Sequence, residues 1–557
     1  MPYFRFTSPR GEVLMNERLF LDDAVGDYIR TVTATRTLIL AYSTRGQVIF
    51  RGNFDLTNEA SLRQSELRDV IFNATRFPSN ERGFRLTGMR GVTMEEFERA
   101  VFLHHLANAN KSGLWINASI HDDVLLGTRY RDVLNGKNGD DVIRGNGGND
   151  RITSSFGDDR IYGGAGNDGL IAGAGNDRLY GGGGNDYLSG GGGEDFLLGQ
   201  SGNDRQFGGG GSDRLNGGSG DDRMAGGGGD DWYWVNSARD RITESVTGGE
   251  DTVYSYTTFR LPLHVENLTL IGGRAITGYG NGLDNILIGN NANNSLTGYA
   301  GADVLDGRGG NDRMAGGASD DTYFRDRAGD VVIEKLDNGN DTVISSLSYS
   351  LETNVENVQL SGTDNINATG NALDNLLIGN AGDNVLSGDA GADALVGGPG
   401  LDNLTGGADA DQFVFDSTPG TADIITDFTI GEDSIVLDSA IFDELAAGPL
   451  AAGNFRAAAA GADGDDFLVY DQASGVLSYD PTGNNSGPLQ AIADLTDGLA
   501  LSAADILVVD DALSNLLPGG DVVVTRDATL FAEGRGFLFS SSGGEIVTLD
   551  VNDQIII

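Results

Sequence analysis

The sequence predicts a mainly β protein whose central part is a parallel β-roll solenoid of nine-residue repeats. Two observations carry this prediction. An aspartate recurs every nine residues from Asp123 to Asp231, and most of these aspartates follow a glycine-rich loop and precede a short segment with an apolar centre. Further on, residues 231–320 and 321–410 are two copies of one 90-residue unit, the length of ten nonapeptides. A fixed short period is typical of a solenoid in which each repeat packs against its neighbours.

The nonapeptides follow the form G-G-x-G-x-D-x-U-x, where U is apolar, as in GGGGNDYLS at 181–189. We expect the glycines to form a tight turn and the last three residues to form a short strand with U directed inward. Two nonapeptides make one flattened coil, so aspartates two repeats apart lie on neighbouring strands, about 4.8 Å from each other. The inward positions are Leu125, Leu134, Ile143, Ile152, Ile161, Leu170, Leu179, Leu188, Leu197, Gln206, Leu215 and Met224.

The loop chemistry indicates a metal site. Like charges held this close repel each other by several kcal/mol at low effective dielectric, and a divalent cation between them reverses the sign of the interaction. Carboxylates and glycine-loop carbonyls supply the six to eight oxygens that Ca²⁺ prefers, whereas Mg²⁺ demands a small rigid octahedron. The candidate calcium ligands are Asp123, Asp132, Asp141, Asp150, Asp159, Asp168, Asp177, Asp186, Asp195, Asp204, Asp213, Asp222, Asp231, Asp303, Asp312, Asp321, Asp393, Asp402 and Asp411.

The predicted core is thin, with one aliphatic side chain per nonapeptide. Burial of one such side chain contributes about 1.5–3 kcal/mol, while ordering each residue costs roughly 1–2 kcal/mol of backbone entropy. Apolar burial alone therefore does not fold the repeats. We expect multiple Ca²⁺ ions to supply the difference, so that the repeats are unfolded without calcium and fold when it binds.

Some loops depart from the pattern. Tyr130 replaces the glycine at the fourth position of the repeat that contains Asp132. Ser154 and Ser155 replace the two adjacent glycines at the start of the repeat that contains Asp159. We expect weaker binding, or amide ladders without calcium, where asparagine takes the place of the aspartate. These positions are Asn285, Asn294, Asn375 and Asn384.

The composition and the pattern predict four regions. Residues 1–116 form a small β-rich or α+β domain, with strands in TRTLILAYST and GQVIFRGNF and one helix that begins at the capping box Thr93–Glu96. Residues 117–234 form the uninterrupted roll. Residues 235–411 continue the solenoid through the two 90-residue units, although equal unit length could also reflect duplication alone. Residues 412–557 form a β-rich region, as the alternation in DQFVFD, EDSIVLD and GVLSYD indicates.

The formal net charge of −45 excludes the basic surface of a nucleic-acid-binding protein and argues against an anionic membrane as the main partner. No stretch is long and apolar enough for a transmembrane segment. The absence of cysteine is compatible with a secreted protein that relies on metal in place of disulfides. The N-terminus lacks the apolar core of a cleaved signal peptide, so we expect any export to use another signal.

The array resembles the RTX (repeats-in-toxin, hemolysin-type) calcium-binding β-roll of secreted bacterial proteins. Residues 411–510, with DQFVFD, ADIITDF, EDSIVLD and LVYDQASGVLSYDPTG, are similar to the C-terminal region of serralysin-type proteins. The first resemblance implies calcium in the edge loops and an extracellular location. The second implies an uncleaved C-terminal signal that is read by the type I secretion machinery.

We therefore predict a secreted, non-enzymatic, calcium-binding protein with a role at the cell surface, in the matrix or in adhesion, and with cell-surface or matrix polymers as candidate partners. The alternative is a secreted protease- or lipase-like hydrolase with its active site in residues 1–116. The adjacent pair His104 and His105 lacks the spacing of a helical zinc site, and no G-x-S-x-G motif is present. A membrane-active toxin is disfavoured because apolar segments are absent.

Overall fold

The structure is a computed structural model that describes residues 113–118, 120–336, 338–457, 465–483 and 488–510. Beyond these ranges it describes Ala512, Leu516 and the backbone of short strands near both ends of the chain. The chain divides into two compact units, Met1–Ile271 and Gly272–Ile557.

The first 111 residues contain seven described strands. They are β1 (Arg5–Ser8), β2 (Gly11–Leu14), β3 (Tyr28–Val32), β4 (Leu38–Tyr42), β5 (Gln47–Phe50), β6 (Val70–Asn73) and β7 (Phe84–Thr87). Strands β1 and β2, β3 and β4, and β5 and β6 form antiparallel pairs. The strands β4 and β5 lie in the two segments that the sequence predicts to be extended, whereas the predicted helix at Thr93 lies outside the described residues.

The rest of the first unit is a parallel β-solenoid, which confirms the predicted fold class. Its strands are β8 (Leu114–Asn117), β9 (Val124–Leu126), β10 (Val133–Asn135), β11 (Val142–Gly147), β12 (Arg151–Thr153), β13 (Arg160–Ala165), β14 (Gly169–Ala174), β15 (Arg178–Gly183), β16 (Tyr187–Gly192), β17 (Phe196–Ser201), β18 (Arg205–Gly210), β19 (Arg214–Asn216), β20 (Arg223–Gly228), β21 (Trp232–Val235), β22 (Arg241–Ile242), β23 (Thr252–Ser255), β24 (Phe259–Arg260) and β25 (Asn267–Leu270). Even-numbered strands from β8 to β22 pair in one sheet, and odd-numbered strands from β9 to β25 pair in the other. Successive nonapeptides therefore alternate between the two sheets, two to a coil.

The core of the solenoid consists of the inward residues that the sequence predicts, which form one column in each sheet. Ile143 pairs with Ile161, and Ile161 with Leu179, and all three side chains are completely buried. Gln206 is equally buried, and its Nε2 donates a hydrogen bond to the carbonyl oxygen of Asn216 at 2.8 Å. The polar exception in the column is thus partly satisfied by the backbone of the next nonapeptide.

The parallel pairing continues where the glycine loops end. Trp232 of β21 pairs with Thr252 of β23, which pairs with Asn267 of β25. The connecting loops differ in length, so the steps are no longer uniform. The parallel pairing thus continues into the stretch without glycine loops, where the connecting loops are different.

The second unit has the same construction. Its strands are β26 (Thr277–Tyr279), β27 (Ile286–Ile288), β28 (Ser295–Thr297), β29 (Val304–Asp306), β30 (Arg313–Ala315), β31 (Thr322–Arg325), β32 (Val331–Val332), β33 (Thr342–Ser345), β34 (Tyr349–Ser350), β35 (Asn357–Leu360), β36 (Ala368–Thr369), β37 (Leu376–Ile378), β38 (Val385–Ala390), β39 (Ala394–Val396), β40 (Asn403–Ala408), β41 (Gln412–Phe415), β42 (Asp423–Ile425), β43 (Ser434–Asp438), β44 (Gly448–Pro449), β45 (Phe455–Ala457), β46 (Leu468–Asp471), β47 (Val476–Tyr479), β48 (Gln490–Asp494) and β49 (Ile506–Val509). Two short 3₁₀ helices, Ala452–Asn454 and Ala503–Asp505, interrupt the strands, and a last antiparallel pair joins β50 (Arg535–Ser540) and β51 (Ile546–Asp550).

In this unit, too, the parallel register outlasts the glycine loops. The steps from Thr322 to Thr342, Asn357 and Leu376 are uneven, yet together they span the 54 residues of three regular coils. The register also runs past the predicted boundary after residue 411, because Phe413 pairs with Ile435, and Ile435 with Ile506. Antiparallel pairing enters with β44, which pairs with β49, and with the hairpin of β46 and β47.

Candidate metal centre

The nineteen predicted aspartates are all buried, with at most 3% of each residue exposed. They form ladders along the edges of the solenoid. The backbone N–H of Asp150 donates to Oδ1 of Asp168 at 2.7 Å, and the N–H of Asp168 donates to Oδ1 of Asp186 at 2.7 Å. The same bond joins the other aspartates that lie two repeats apart in the first array, and it recurs between Asp303 and Asp321 and between Asp393 and Asp411. The predicted neighbour relation is therefore correct, and it uses one oxygen of each carboxylate.

The second carboxylate oxygen is left without a donor in most of these residues. Oδ2 is buried and accepts no hydrogen bond in Asp150, Asp159, Asp168, Asp177, Asp186, Asp195, Asp204, Asp213, Asp222, Asp231, Asp303, Asp312, Asp321, Asp393 and Asp402. A buried acceptor that lacks a partner costs about 1–3 kcal/mol, and more when it is charged. So regular a series of unpartnered oxygens points to a cationic ligand.

Backbone oxygens lie close to these carboxylate oxygens. A Cβ added to Gly163 would lie 2.5 Å from Oδ2 of Asp168 and 2.5 Å from the carbonyl oxygen of Gly181. A Cβ added to Gly181 would meet Oδ2 of Asp186 at 2.5 Å and the carbonyl oxygen of Gly199 at 2.8 Å. The first glycine of each loop therefore leaves space that carboxylate and carbonyl oxygens share, and this donor set suits a hard cation.

The electrostatics of the ladders agree with this assignment. Burial raises the pKa of Asp150 and of Asp177 to about 8. The backbone hydrogen bond to each carboxylate lowers the pKa, and the negative charge of neighbouring carboxylates raises it further. The same causes raise the pKa of Asp186 to about 7. Carboxylates in these positions resist ionisation near neutral pH unless a positive charge compensates them.

Two predicted ligands differ from the rest because the protein itself satisfies their second oxygen. Oδ2 of Asp132 accepts the backbone N–H of Thr128 at 2.5 Å, in the loop where Tyr130 replaces a glycine. Oδ2 of Asp141 accepts the hydroxyl of Ser154 at 3.3 Å. The serine substitution thus affects Asp141 in the preceding coil, whereas Oδ2 of Asp159 in its own loop stays unpartnered.

The four asparagines that replace aspartates form amide hydrogen bonds with the backbone. Oδ1 of Asn294 accepts the N–H of Asn290 at 2.7 Å, and its Nδ2 donates to the carbonyl oxygen of Ile276 at 3.0 Å. Asn384 repeats the pattern with Asn380 and Ile366, at 2.8 and 2.6 Å. In Asn294, Asn375 and Asn384 the amide nitrogen donates to a carbonyl oxygen of the preceding coil, so the ligand position there is uncharged and satisfied by the backbone.

Sequence reasoning missed the members of the ladders beyond the glycine loops. The N–H of Asp231 donates to Oδ1 of Asp251 at 2.9 Å, and the N–H of Asp251 donates to Oε2 of Glu266 at 2.9 Å. Asp321, Asp341 and Glu356 repeat this arrangement in the second unit. The nine-residue period does not reach these residues. The signal that could have found them is the match of GEDTV at 249–253 with GNDTV at 339–343.

Two three-carboxylate clusters stand out at these positions. Ligand atoms of Asp231, Glu244 and Asp251 all lie within 4.8 Å of one another, and the same holds for Asp321, Glu334 and Asp341. The two glutamates are absent from the repeat pattern.

A parallel β-solenoid with buried carboxylate and carbonyl oxygens along its edges defines the class of cation-binding β-rolls. The family model of the RTX calcium-binding nonapeptide repeat matches the chain over residues 118–242, 279–332 and 369–417. The chain therefore contains RTX calcium-binding nonapeptide repeats, as its sequence predicts. No curated protein matches the chain significantly. In the described part of the chain, no helix combines the length and the apolar character that crossing a membrane requires.

Proposed function

We propose that this protein binds several Ca²⁺ ions in its glycine loops and that this binding drives the folding of the solenoid. The observation that carries the proposal is the series of buried Oδ2 atoms without hydrogen-bond donors. An RTX calcium-binding array spans these residues, so the ion is expected to be Ca²⁺. Bound calcium supplies positive charge to a row of carboxylates that would otherwise repel each other.

The residues that would hold the ions are the aspartates with an unpartnered Oδ2, together with carbonyl oxygens of the glycine loops. Asp123 and Asp411 continue the ladders through Oδ1 of Asp141 and of Asp433, at 2.7 and 3.0 Å, and remain candidate ligands. We assign Asp132 a structural role instead, because its second oxygen is taken by Thr128.

The test is a calcium titration of the purified full-length chain that was first depleted of metal. Far-UV circular dichroism should show little β-structure at neutral pH without calcium and a cooperative rise as calcium is added. A parallel titration with Mg²⁺ serves as the control and should have little effect at the same concentration. A full β signal in the metal-depleted chain, together with no retained calcium in equilibrium dialysis, would refute the proposal.

We also propose that the protein is secreted through a type I channel and folds outside the producing cell. RTX repeat proteins are typically secreted, and residues 411–510 are similar to the C-terminal region of serralysin-type proteins. The test compares export of the full chain with export of a chain that lacks residues 511–557, in a host that supplies a type I channel. Equal export of the two chains would place the signal elsewhere.

The share of the chain that the roll occupies supports a further proposal, a role at the cell surface or in the surrounding matrix without catalysis. The experiment is a screen of the calcium-loaded full chain for hydrolysis of peptides and esters and for adsorption to cell-surface polysaccharides. Retention on a polysaccharide without turnover supports the role. Turnover that is lost with a substitution in residues 1–116 supports the hydrolase instead.

A further inference from the structure

We propose that Asp231, Glu244 and Asp251 form a second kind of calcium site, outside the nonapeptide loops, and that Asp321, Glu334 and Asp341 form its copy in the second unit. Each site lies where an array of glycine loops ends. The inference extends the proposed function, because one ligand of each site is also the last aspartate of an array.

The open oxygens of the first site face one small space. Asp231 and Asp251 are completely buried, and Oδ2 of each accepts no hydrogen bond. A Cβ added to Gly248 would lie 3.1 Å from Oε2 of Glu244 and 3.2 Å from Oδ2 of Asp251. The two unpartnered, buried oxygens distinguish this cluster from an ordinary acidic surface, because carboxylates at a surface accept hydrogen bonds from water.

Hydrogen bonds from the protein fix the orientation of these carboxylates. Oδ1 of Asp251 accepts the N–H of Asp231 at 2.9 Å. Oε1 of Glu244 accepts the N–H of Gly226 at 2.9 Å and the hydroxyl of Tyr233. Oε2 of Glu244 accepts the N–H of Ser245 at 3.2 Å, and the backbone of Gly227 also donates to this carboxylate, so the open oxygens of the site are Oδ2 of Asp231 and Oδ2 of Asp251. Fixed donors on one side and open oxygens on the other are the arrangement of a metal site with an ordered outer shell.

The second unit repeats the site while its surroundings change. Oε1 of Glu334 accepts the N–H of Gly316 at 3.3 Å and the hydroxyl of Tyr323, and Oδ2 of Asp321 is buried and unpartnered. In contrast, Glu250 of the first unit corresponds to Asn340 in the second. The three carboxylates of the cluster are therefore present in both units, whereas the neighbouring exposed carboxylate of Glu250 is present only in the first.

The third array ends differently and offers an internal comparison. There Asp427 takes the place of the glutamate, and its two oxygens accept the N–H groups of Gly406 and Gly407 at 3.0 and 2.9 Å. Oδ2 of Asp433 accepts the N–H of Thr429 at 2.7 Å. Backbone donors thus occupy both oxygens of Asp427 and Oδ2 of Asp433, so this end lacks the open oxygen that Asp251 presents at the end of the first array.

The ligand class follows from the oxygens. Three carboxylates within 4.8 Å favour a divalent cation with oxygen ligands. Ca²⁺ binds oxygens at 2.3–2.6 Å, so two ligand atoms on opposite sides of the ion lie about 5 Å apart. That span fits the cluster, and water or backbone oxygens would complete the coordination.

The experiment counts calcium on the full-length protein by equilibrium dialysis with ⁴⁵Ca²⁺. The double variant Glu244→Gln/Glu334→Gln should fold in saturating calcium and bind two fewer ions per chain than the parent. Glu250→Gln, at an exposed position of the same loop, is the matched control and should bind the parent number. An unchanged count in the double variant overturns the inference, whereas a parent chain that binds no calcium refutes the proposed function itself.

A second variant keeps the inference testable if the glutamine variant does not fold. Tyr233→Phe/Tyr323→Phe removes the hydroxyl donors to the glutamates and leaves all carboxylates in place. Loss of such an outer-shell partner should weaken two of the bound ions roughly tenfold or more. A calcium isotherm identical to that of the parent overturns the inference in this case.

Discussion

The backbone N–H of Asp168 donates a hydrogen bond to Oδ1 of Asp186, the equivalent residue of the next coil, at 2.7 Å. Each coil thus uses the aspartate of its successor as an acceptor and leaves Oδ2 of that aspartate open beside a glycine-loop carbonyl. One residue type performs two tasks, because Oδ1 fixes the register and Oδ2 is available to a cation.

The first prediction concerns the open oxygen of Asp186. Asp186→Asn keeps an oxygen for the ladder but replaces the open Oδ2 with an amide nitrogen, so the variant should bind fewer calcium ions and need more calcium to fold. Asp158→Asn is the control, because Asp158 is exposed and uses its Oδ1 to accept the N–H of Asn176. Isothermal titration calorimetry measures both. Equal ion counts in the two variants would contradict the role of the Asp186 carboxylate.

The second prediction reverses the substitution at an asparagine loop. In Asn294→Asp an oxygen replaces the Nδ2 that donates to the carbonyl oxygen of Ile276 at 3.0 Å. Two buried acceptors then face each other, which should destabilise the fold at low calcium by about 1–3 kcal/mol. Urea unfolding at several calcium concentrations measures the change, and high calcium should reduce it. Asn293→Asp, at an exposed neighbour, is the control, and an equal loss of stability in both variants would count against the explanation.

The third prediction concerns pH in the absence of calcium. Burial first, and neighbouring carboxylates second, raise the pKa of Asp150 and Asp177 to about 8 and that of Asp186 to about 7, against an ordinary value of 3.8. Between these values the folded chain binds more protons than the unfolded chain, so its stability should fall as the pH rises from about 4 to about 8.

Circular dichroism of the metal-depleted protein measures this dependence. The β signal should be larger near pH 5 than near pH 8, and saturating calcium should restore it at pH 8. A metal-depleted chain whose stability increases with pH over this range would show that the aspartates are not the controlling groups.

The fourth prediction tests the turn geometry. Gly166 has φ of +131°, and a Cβ there would collide with the carbonyl oxygen of Gly148 in the preceding coil. Gly166→Ala should therefore cost about 2 kcal/mol or more of unfolding free energy in saturating calcium. Gly192→Ala is the matched control, because nothing lies within 4 Å of a Cβ at that position. Thermal unfolding compares the two, and equal melting temperatures would contradict the steric argument.

The sequence predicts the solenoid well because a strict period fixes both the pairing partner and the inward residue. Leu170 could be assigned to the core, and Asp168 to the edge, without coordinates. Asp251 and Glu244 could not be assigned from the period, since uneven loops bring them beside Asp231. The contact that occupies Asp132 was also beyond reach, because Tyr130 marks its loop as unusual without showing that a backbone N–H of Thr128 takes the carboxylate oxygen.

The Asp231–Asp251–Glu266 ladder has a consequence for the length of the array. In every coil the backbone N–H of the aspartate needs an acceptor from the next coil. A repeat array that stopped at an arbitrary coil would therefore end with a backbone N–H that has no hydrogen-bond acceptor. In the first unit, Asp251 and then the longer side chain of Glu266 accept the last two amides across irregular loops. Because these acceptors terminate the ladder, whole coils can be gained or lost before them while the end of the array keeps its structure. The number of repeats, and with it the length of the solenoid, can therefore change without a new end.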